Sequence, residues 1–259
     1  MTDVAGSTPI TLAHDIQGSG PLVVLIHGIT ERKESWDPID LGDEFEVLRV
    51  DVRGHGDSPL QSPYDPRTLA ADVHATVEAV RPGAVPLVIG HSMGGIIATA
   101  YGVLFPTVGV INIDQALALG DMQKKVKSLE PLLKSPLFPV LVSSMFRSMR
   151  GVLPREENKR LSRLRTPRRE VVLGAWAPML QQTPEELVET VKQLTAFPSD
   201  VPYLFIVGID PGEDYYAWLA ESIPSSTYEV WQQGHYPHLV EPERFVAKVK
   251  EFAATSSPS

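Results

Sequence analysis

The stretch from 87 to 102, LVIGHSMGGIIATAYG, places a histidine and a serine among glycines at the junction of two apolar runs. A serine so placed is a candidate nucleophile. Gly90-His91-Ser92-Met93-Gly94 fits G-x-S-x-G, a strand-to-helix turn that lifts the hydroxyl to the end of the strand. Glycines two residues away on either side remove clashes in so tight a turn. The helix that follows aims free N–H groups and a positive dipole end at a developing oxyanion. A serine hydroxyl needs a base at neutral pH, and the chain holds seven histidines. Two of them stand in Gly234-His235-Tyr236-Pro237-His238. His91, beside the serine, better suits a pocket floor, and His55, in a turn, a structural hydrogen bond. Other chemistries fall away. There is no cysteine, so disulfides, thiol nucleophiles and Cys-ligated metals are excluded. The pair His235/His238 has no nearby third ligand and makes a poor zinc site. No acidic cluster calls for a divalent ion, and no phosphate-binding glycine motif occurs. No cofactor is expected.

These residues must be carried by a scaffold, and the apolar patterning suggests one. Leu22–Ile26, Glu46–Val50, Leu87–Ile89, Val108–Ile113, Pro202–Val207 and Thr227–Trp231 read as strands. The continuous β-branched runs among them fit strands buried on both faces. Thr68–Val80, Met93–Leu104 and Glu243–Phe252 carry apolar residues at helical spacing. This alternation predicts a doubly wound, mostly parallel sheet. Residues 115–195 break the rhythm. They hold 14 Lys+Arg against 8 Asp+Glu, a net +6, which leaves −15 for the rest of the −9 chain. Many prolines punctuate them, no strand run is convincing, and Thr183-Pro184-Glu185-Glu186 signals a helix start. They read as a helical insertion. The final TSSPS reads as a disordered tail.

Four motifs in order resemble the α/β-hydrolase superfamily: His27-Gly28-Ile29, Asp51-Val52-Arg53-Gly54-His55-Gly56-Asp57-Ser58, Gly90-His91-Ser92-Met93-Gly94 and the loop at Gly234-His235. The resemblance covers nearly the whole chain and is read as serine esterase or lactonase-like. It implies an α/β fold with a core domain over 1–114 and 196–259, and a helical lid over 115–195 inserted after the family's sixth strand. Ser92 would be the nucleophile and His235, which directly follows glycine, its base, with His238 packed beside it. The backbone N–H groups of Ile29 and Met93 would form the oxyanion hole. The acid stays open. The family usually carries it three residues beyond a glycine after the seventh strand, where this chain has Pro211. Asp210 is one step early and is preferred. Asp114, after the sixth strand, is the alternative, and Glu213 and Asp214 come late.

The lid residues Leu132, Leu133, Leu137, Phe138, Val140, Leu141, Met145, Phe146 and Met149 suggest an apolar ceiling above Ser92, although most would simply pack the lid. The basic run Lys159, Arg160, Arg163, Arg165, Arg168 and Arg169 could draw an anionic substrate or form a solvated helix face. The expected partner is a small-molecule ester or lactone. Carbon–carbon bond hydrolases, perhydrolases and acyltransferases resemble the family with the same serine, and a small-molecule-binding member without activity is the remaining alternative. Epoxide hydrolases and haloalkane dehalogenases carry aspartate at the nucleophile position. With 259 residues, a net charge of −9 and a pI near 5.3, neither nucleic acid nor an anionic membrane is an expected partner. No signal peptide or membrane span is visible, which leaves a cytoplasmic enzyme as the expectation and a homo-oligomer as a possibility.

Overall fold

The computed structural model describes residues 8–256. The chain builds a seven-stranded sheet from β1 (His14–Gly18), β2 (Leu22–Ile26), β3 (Glu46–Val50), β4 (Leu87–His91), β5 (Gly109–Ile113), β6 (Tyr203–Val207) and β7 (Ser226–Val230). Their order is β1-β3-β2-β4-β5-β6-β7. Only the β1/β3 pair is antiparallel. Six strands fall where the apolar runs placed them, shifted at most by a residue or two at the ends. β1 escapes that patterning because it lies at the edge, mostly exposed, with no continuous apolar run.

Two apolar layers sandwich the sheet, and residues along each strand alternate between them. Val24, Ile26, Val88, Val110 and Phe205 face one layer, completed by α1 (Pro66–Val80) and α2 (Met93–Leu104). Val23, Leu25, Ile89, Ile111 and Leu204 face the other. Both faces being covered, the strands read as unbroken apolar runs. α1 starts where Asp65 caps it, accepting from the N–H groups of Arg67 and Thr68, with Pro66 at the first helical position.

Between β5 and β6 the chain folds into six helices: α3 (Gly120–Leu133), α4 (Phe138–Met149), α5 (Arg155–Leu164), α6 (Arg169–Ala175), α7 (Ala177–Gln181) and α8 (Pro184–Leu194). Thr183 and Glu186 form a reciprocal capping box at the start of α8. A third apolar cluster joins Leu133, Phe138, Phe146, Trp176 and Met179 to Ile29 of the loop after β2, with Met93 packed against it. Leu137 and Val140, counted with the ceiling, face solvent instead. α9 (Glu213–Ser222), α10 (Pro237–Val240) and α11 (Pro242–Ser256) complete the chain. Phe245 and Val249 seat α11 on the second layer. Thr255 and Ser256 belong to that helix rather than to a tail, and the rest of the TSSPS stretch lies outside the described residues. No helix among the described residues is long and apolar enough to cross a membrane.

Candidate active site

The chain order reverses between β2 and β4, so their carboxyl ends send loops to opposite faces and leave a crevice. The elbow sits there. Ser92 joins β4 to α2 with φ 54° and ψ −124°, a left-handed conformation that costs a non-glycine residue of order 1–3 kcal/mol. The flanking glycines make the turn possible. A Cβ on Gly90 would stand 1.9 Å from the Gly94 carbonyl oxygen, and one on Gly94 2.3 Å from that of Ile26. The loop after β2 crosses directly over the serine: a Cβ on Gly28 would lie 3.3 Å from the Ser92 Cβ. Among the described residues, the backbone N–H groups of Ile29 and Met93 bond to no acceptor.

His27 holds that loop from beneath. Its Nδ1 donates to the Gly28 carbonyl at 2.7 Å, and its Nε2 accepts the Val52 N–H at 3.0 Å. Burial pushes its pKa down, so it serves as a neutral brace. The turn after β3 is likewise structural. Asp51 accepts from the N–H groups of Lys33 and Asp57, and Ser58 Oγ donates to the Asp51 carbonyl. Arg53 pairs with Asp72 at 2.6 Å, both fully buried. His55 packs edge-on to His27 with ring centroids 5.1 Å apart, and burial lowers its pKa to about 3.

The histidine loop follows β7. His235 is 7% exposed, and its Nδ1 lies 2.7 Å from Asp114 Oδ2. The carboxylate that meets the histidine is therefore that of Asp114, which corrects the preference for Asp210. Asp114 stands one residue past β5 at φ 53°, another left-handed non-glycine position, which turns its side chain toward the neighbouring loop. There Oδ1 accepts the N–H groups of Gly208 and Ile209 at 2.7 and 3.1 Å. Asp210 is occupied within its own loop, accepting from the Gly212 N–H and the Tyr216 hydroxyl, both at 2.9 Å. Glu213 and Asp214 are exposed on the first turn of α9. His238 packs between Trp36 and His91, with ring centroids 4.9 and 4.7 Å away. Burial drives its pKa well down. His91 bridges elbow and histidine loop, its Nε2 donating to the His235 carbonyl at 2.7 Å.

The sequence missed Glu31, a buried carboxylate whose Oε2 a Cβ on Gly28 would approach to 3.3 Å. Its position four residues after His27 was the only available signal. The basic run divides: Lys159, Arg163 and Arg169 are exposed, while Arg160, Arg165 and Arg168 are half-buried. Arg160 donates to the carbonyls of Glu34 and Ser35, Arg168 to that of Gly54, and Arg169 to that of Ser135. Arg165 donates to the Tyr236 hydroxyl at 2.6 Å. Two clefts flank these parts. One of about 600 Å³ lies between α3, α8 and α9, lined by Leu119, Leu187, Val191 and Trp218. The other, about 230 Å³, lies under α4 and α5 and touches Thr30, the neighbour of Ile29. Among the described residues no group of three or more His, Asp or Glu could hold a metal ion.

Residues 23–248 match the family model described as the alpha/beta hydrolase family. The chain belongs to that family. As a member, it is 37% identical over 89 residues to a 2-(acetamidomethylene)succinate hydrolase of Mesorhizobium japonicum, covering 33% of this chain and 31% of that protein. The chain thus spans about a third of the length of the curated relatives it matches first. Similarity in fold runs end to end. A thermophilic esterase from Thermogutta terrifontis, crystallised with malate bound, aligns over 98% of both chains with a TM-score of 0.66 and 23% identity. The enol-lactonase from Burkholderia xenovorans aligns over 94% of this chain and 96% of its own, with a TM-score of 0.64 and 20% identity. At such identities these neighbours speak for the shared fold.

Proposed function

We propose that this family member is a serine hydrolase of small carboxylic esters or lactones that works through an acyl-enzyme. Ser92 is the nucleophile, and His235 takes its proton through Nε2 and later returns it to the leaving group. Asp114 holds the imidazole tautomer with Nδ1 protonated and stabilises the imidazolium that forms. The N–H groups of Ile29 and Met93 receive the oxyanion, each worth about 3 kcal/mol of transition-state stabilisation. Water, activated by the same histidine, then releases the acyl group. The observation that carries this reading is the 2.7 Å contact of His235 Nδ1 with an Asp114 carboxylate itself fixed by two backbone N–H groups. The unused N–H groups beside the elbow support it further. The six helices between β5 and β6 act as a lid, since their apolar cluster takes in Ile29 and packs on Met93.

Ester and lactone chemistry is favoured because similar structures include an esterase and an enol-lactonase, and because the nucleophile position holds serine. The test is initial rates on nitrophenyl esters of graded acyl length and on simple lactones, for the wild type beside Ser92→Ala, together with fluorophosphonate labelling. Turnover that falls by about 10⁵-fold or more in the variant, with Ser92 labelled in the wild type, is the expected result. A wild type that turns over esters while Ser92 stays unlabelled, or whose rate survives Ser92→Ala, would overturn it.

A further inference from the structure

Behind His235 lies a buried charged cluster that acyl transfer does not use. Glu31, 2% exposed, accepts from the Tyr236 hydroxyl at 2.8 Å. The same oxygen is 3.6 Å from Arg165 Nη2, and its other oxygen is 3.7 Å from His91 Nδ1. Arg165 in turn donates to the Tyr236 hydroxyl at 2.6 Å. Four segments therefore meet at one carboxylate: the loop after β2, the end of β4, the histidine loop, and the stretch following α5. Burial would raise the Glu31 carboxyl, but His91, Arg165 and Tyr236 more than offset this and hold it well below the usual carboxylate range. The group is an anion, and a buried anion demands its partners. Arg165 is pinned from the helical side as well, its guanidinium 4.1 Å above the Phe146 ring of α4.

Two backbone bonds join the same parts. The His235 N–H donates to the Met149 carbonyl at 3.2 Å, and the Val152 N–H to the Gln233 carbonyl at 3.4 Å. We propose that Arg165, Tyr236 and Glu31 form a latch through which the helical segment between β5 and β6 sets the position of the His235 loop. With the segment seated, Arg165 ties it to Tyr236, the residue next to His235, while Glu31 ties Tyr236 to the loop over Ser92. When the segment moves, Arg165 leaves with it, and the histidine loop loses its side-chain anchor and two backbone bonds together. Arg165 and Glu31 are positioning residues. The latch rests on the reading of His235 as the base.

Its test reads His235 directly. Asp114 bonds that ring, and the rings of His91 and Tyr236 stand 4.7 and 5.2 Å from it; Glu31 and Arg165 lie beyond Tyr236, and His238 beyond His91. The ring proton signal of His235, assigned by its loss in His235→Asn, is titrated by NMR in otherwise wild-type protein and in Arg165→Met, Arg165→Lys and Glu31→Gln. Losing the cation in Arg165→Met should move the His235 titration up by about half a pH unit, and losing the anion in Glu31→Gln should move it down. Arg165→Lys keeps the charge and should titrate close to the wild type. Fluorophosphonate labelling of Ser92 should slow about tenfold in Arg165→Met and stay close to the wild-type rate in Arg165→Lys. Shifts of the same sign in Arg165→Met and Glu31→Gln, or an Arg165→Met protein that titrates and labels like the wild type, would overturn the latch. Should the wild type itself resist labelling, the serine-hydrolase reading falls, and the opposed titration shifts alone decide the latch.

Discussion

In the sheet, Ser92, Asp114 and the loop over the serine take their places through the backbone. Left-handed turns at Ser92 and Asp114, glycines that admit close carbonyls, and N–H groups of Gly208 and Ile209 do the positioning. In the helical segment the means are different. Side chains hold it: an apolar cluster that reaches Ile29, and arginines that donate to carbonyls of the core. Backbone turns set by strand ends are rigid and indifferent to most side-chain changes. Side-chain contacts can be exchanged a residue at a time, so the same catalytic frame can be roofed differently. Ser92 and Asp114 are thus fixed by the sheet's own backbone, whereas the helices reach the His235 loop and the loop over Ser92 mainly through side chains.

The strongest way to break that comparison is at the carboxylates. Asp114→Asn should cost about 10⁴-fold in kcat, because the amide cannot hold the productive histidine tautomer. Asp210→Asn should leave kcat within about twofold while loosening the turn into α9. Steady-state rates on a nitrophenyl ester measure both, and comparable losses in the two would refute the assignment of Asp114.

Acidification should act on the sheet side first. Burial lowers the pKa of His27, His55 and His238 in the folded state, whereas the unfolded chain takes up their protons near pH 6.5. Their stabilising contribution is thus complete above pH 6.5 and is lost as the pH falls. His55, lowered to about 3, accounts by itself for ~3 kcal/mol between pH 6.5 and 4. Below pH 4.5, Glu31 and Glu34 (the latter lowered to about 2) add to the loss, since both are held ionised by partners only in the folded chain. Urea midpoints measured from pH 7.5 to 4 should fall steadily. A flat profile over that range would show that these histidines are not kept neutral.

The smallest effect sharpens the contrast from the helical side. Thr183→Ala removes the capping box of α8 and should cost about 1 kcal/mol in thermal unfolding. Labelling of Ser92 should not change, because that cap touches no part of the histidine loop. A change in labelling rate would mean that α8 is coupled to the site after all.

What could be read from the residues alone was local in origin. The elbow is specified within five positions, since only glycines at 90 and 94 allow the turn. The two-sided burial of the central strands is written in their unbroken apolar runs, and the capping box of α8 in four consecutive residues. What tertiary structure decided depends on distances that spacing along the chain does not encode. Asp210 lies closer in sequence to His235 than Asp114 does, yet the partner is Asp114, 121 residues away, because adjacent parallel strands bring the ends of β5 and β6 together beneath the histidine loop. The edge strand β1 exists because β3 offers a free side to pair with, and its own exposed residues carry no apolar signal. Arg160, Arg165 and Arg168 read as a charged helix face until the fold sets carbonyls of the core, and the hydroxyl of Tyr236, within their reach. Local steric rules act over a few residues, whereas a buried charge finds its partner only once the sheet has assembled.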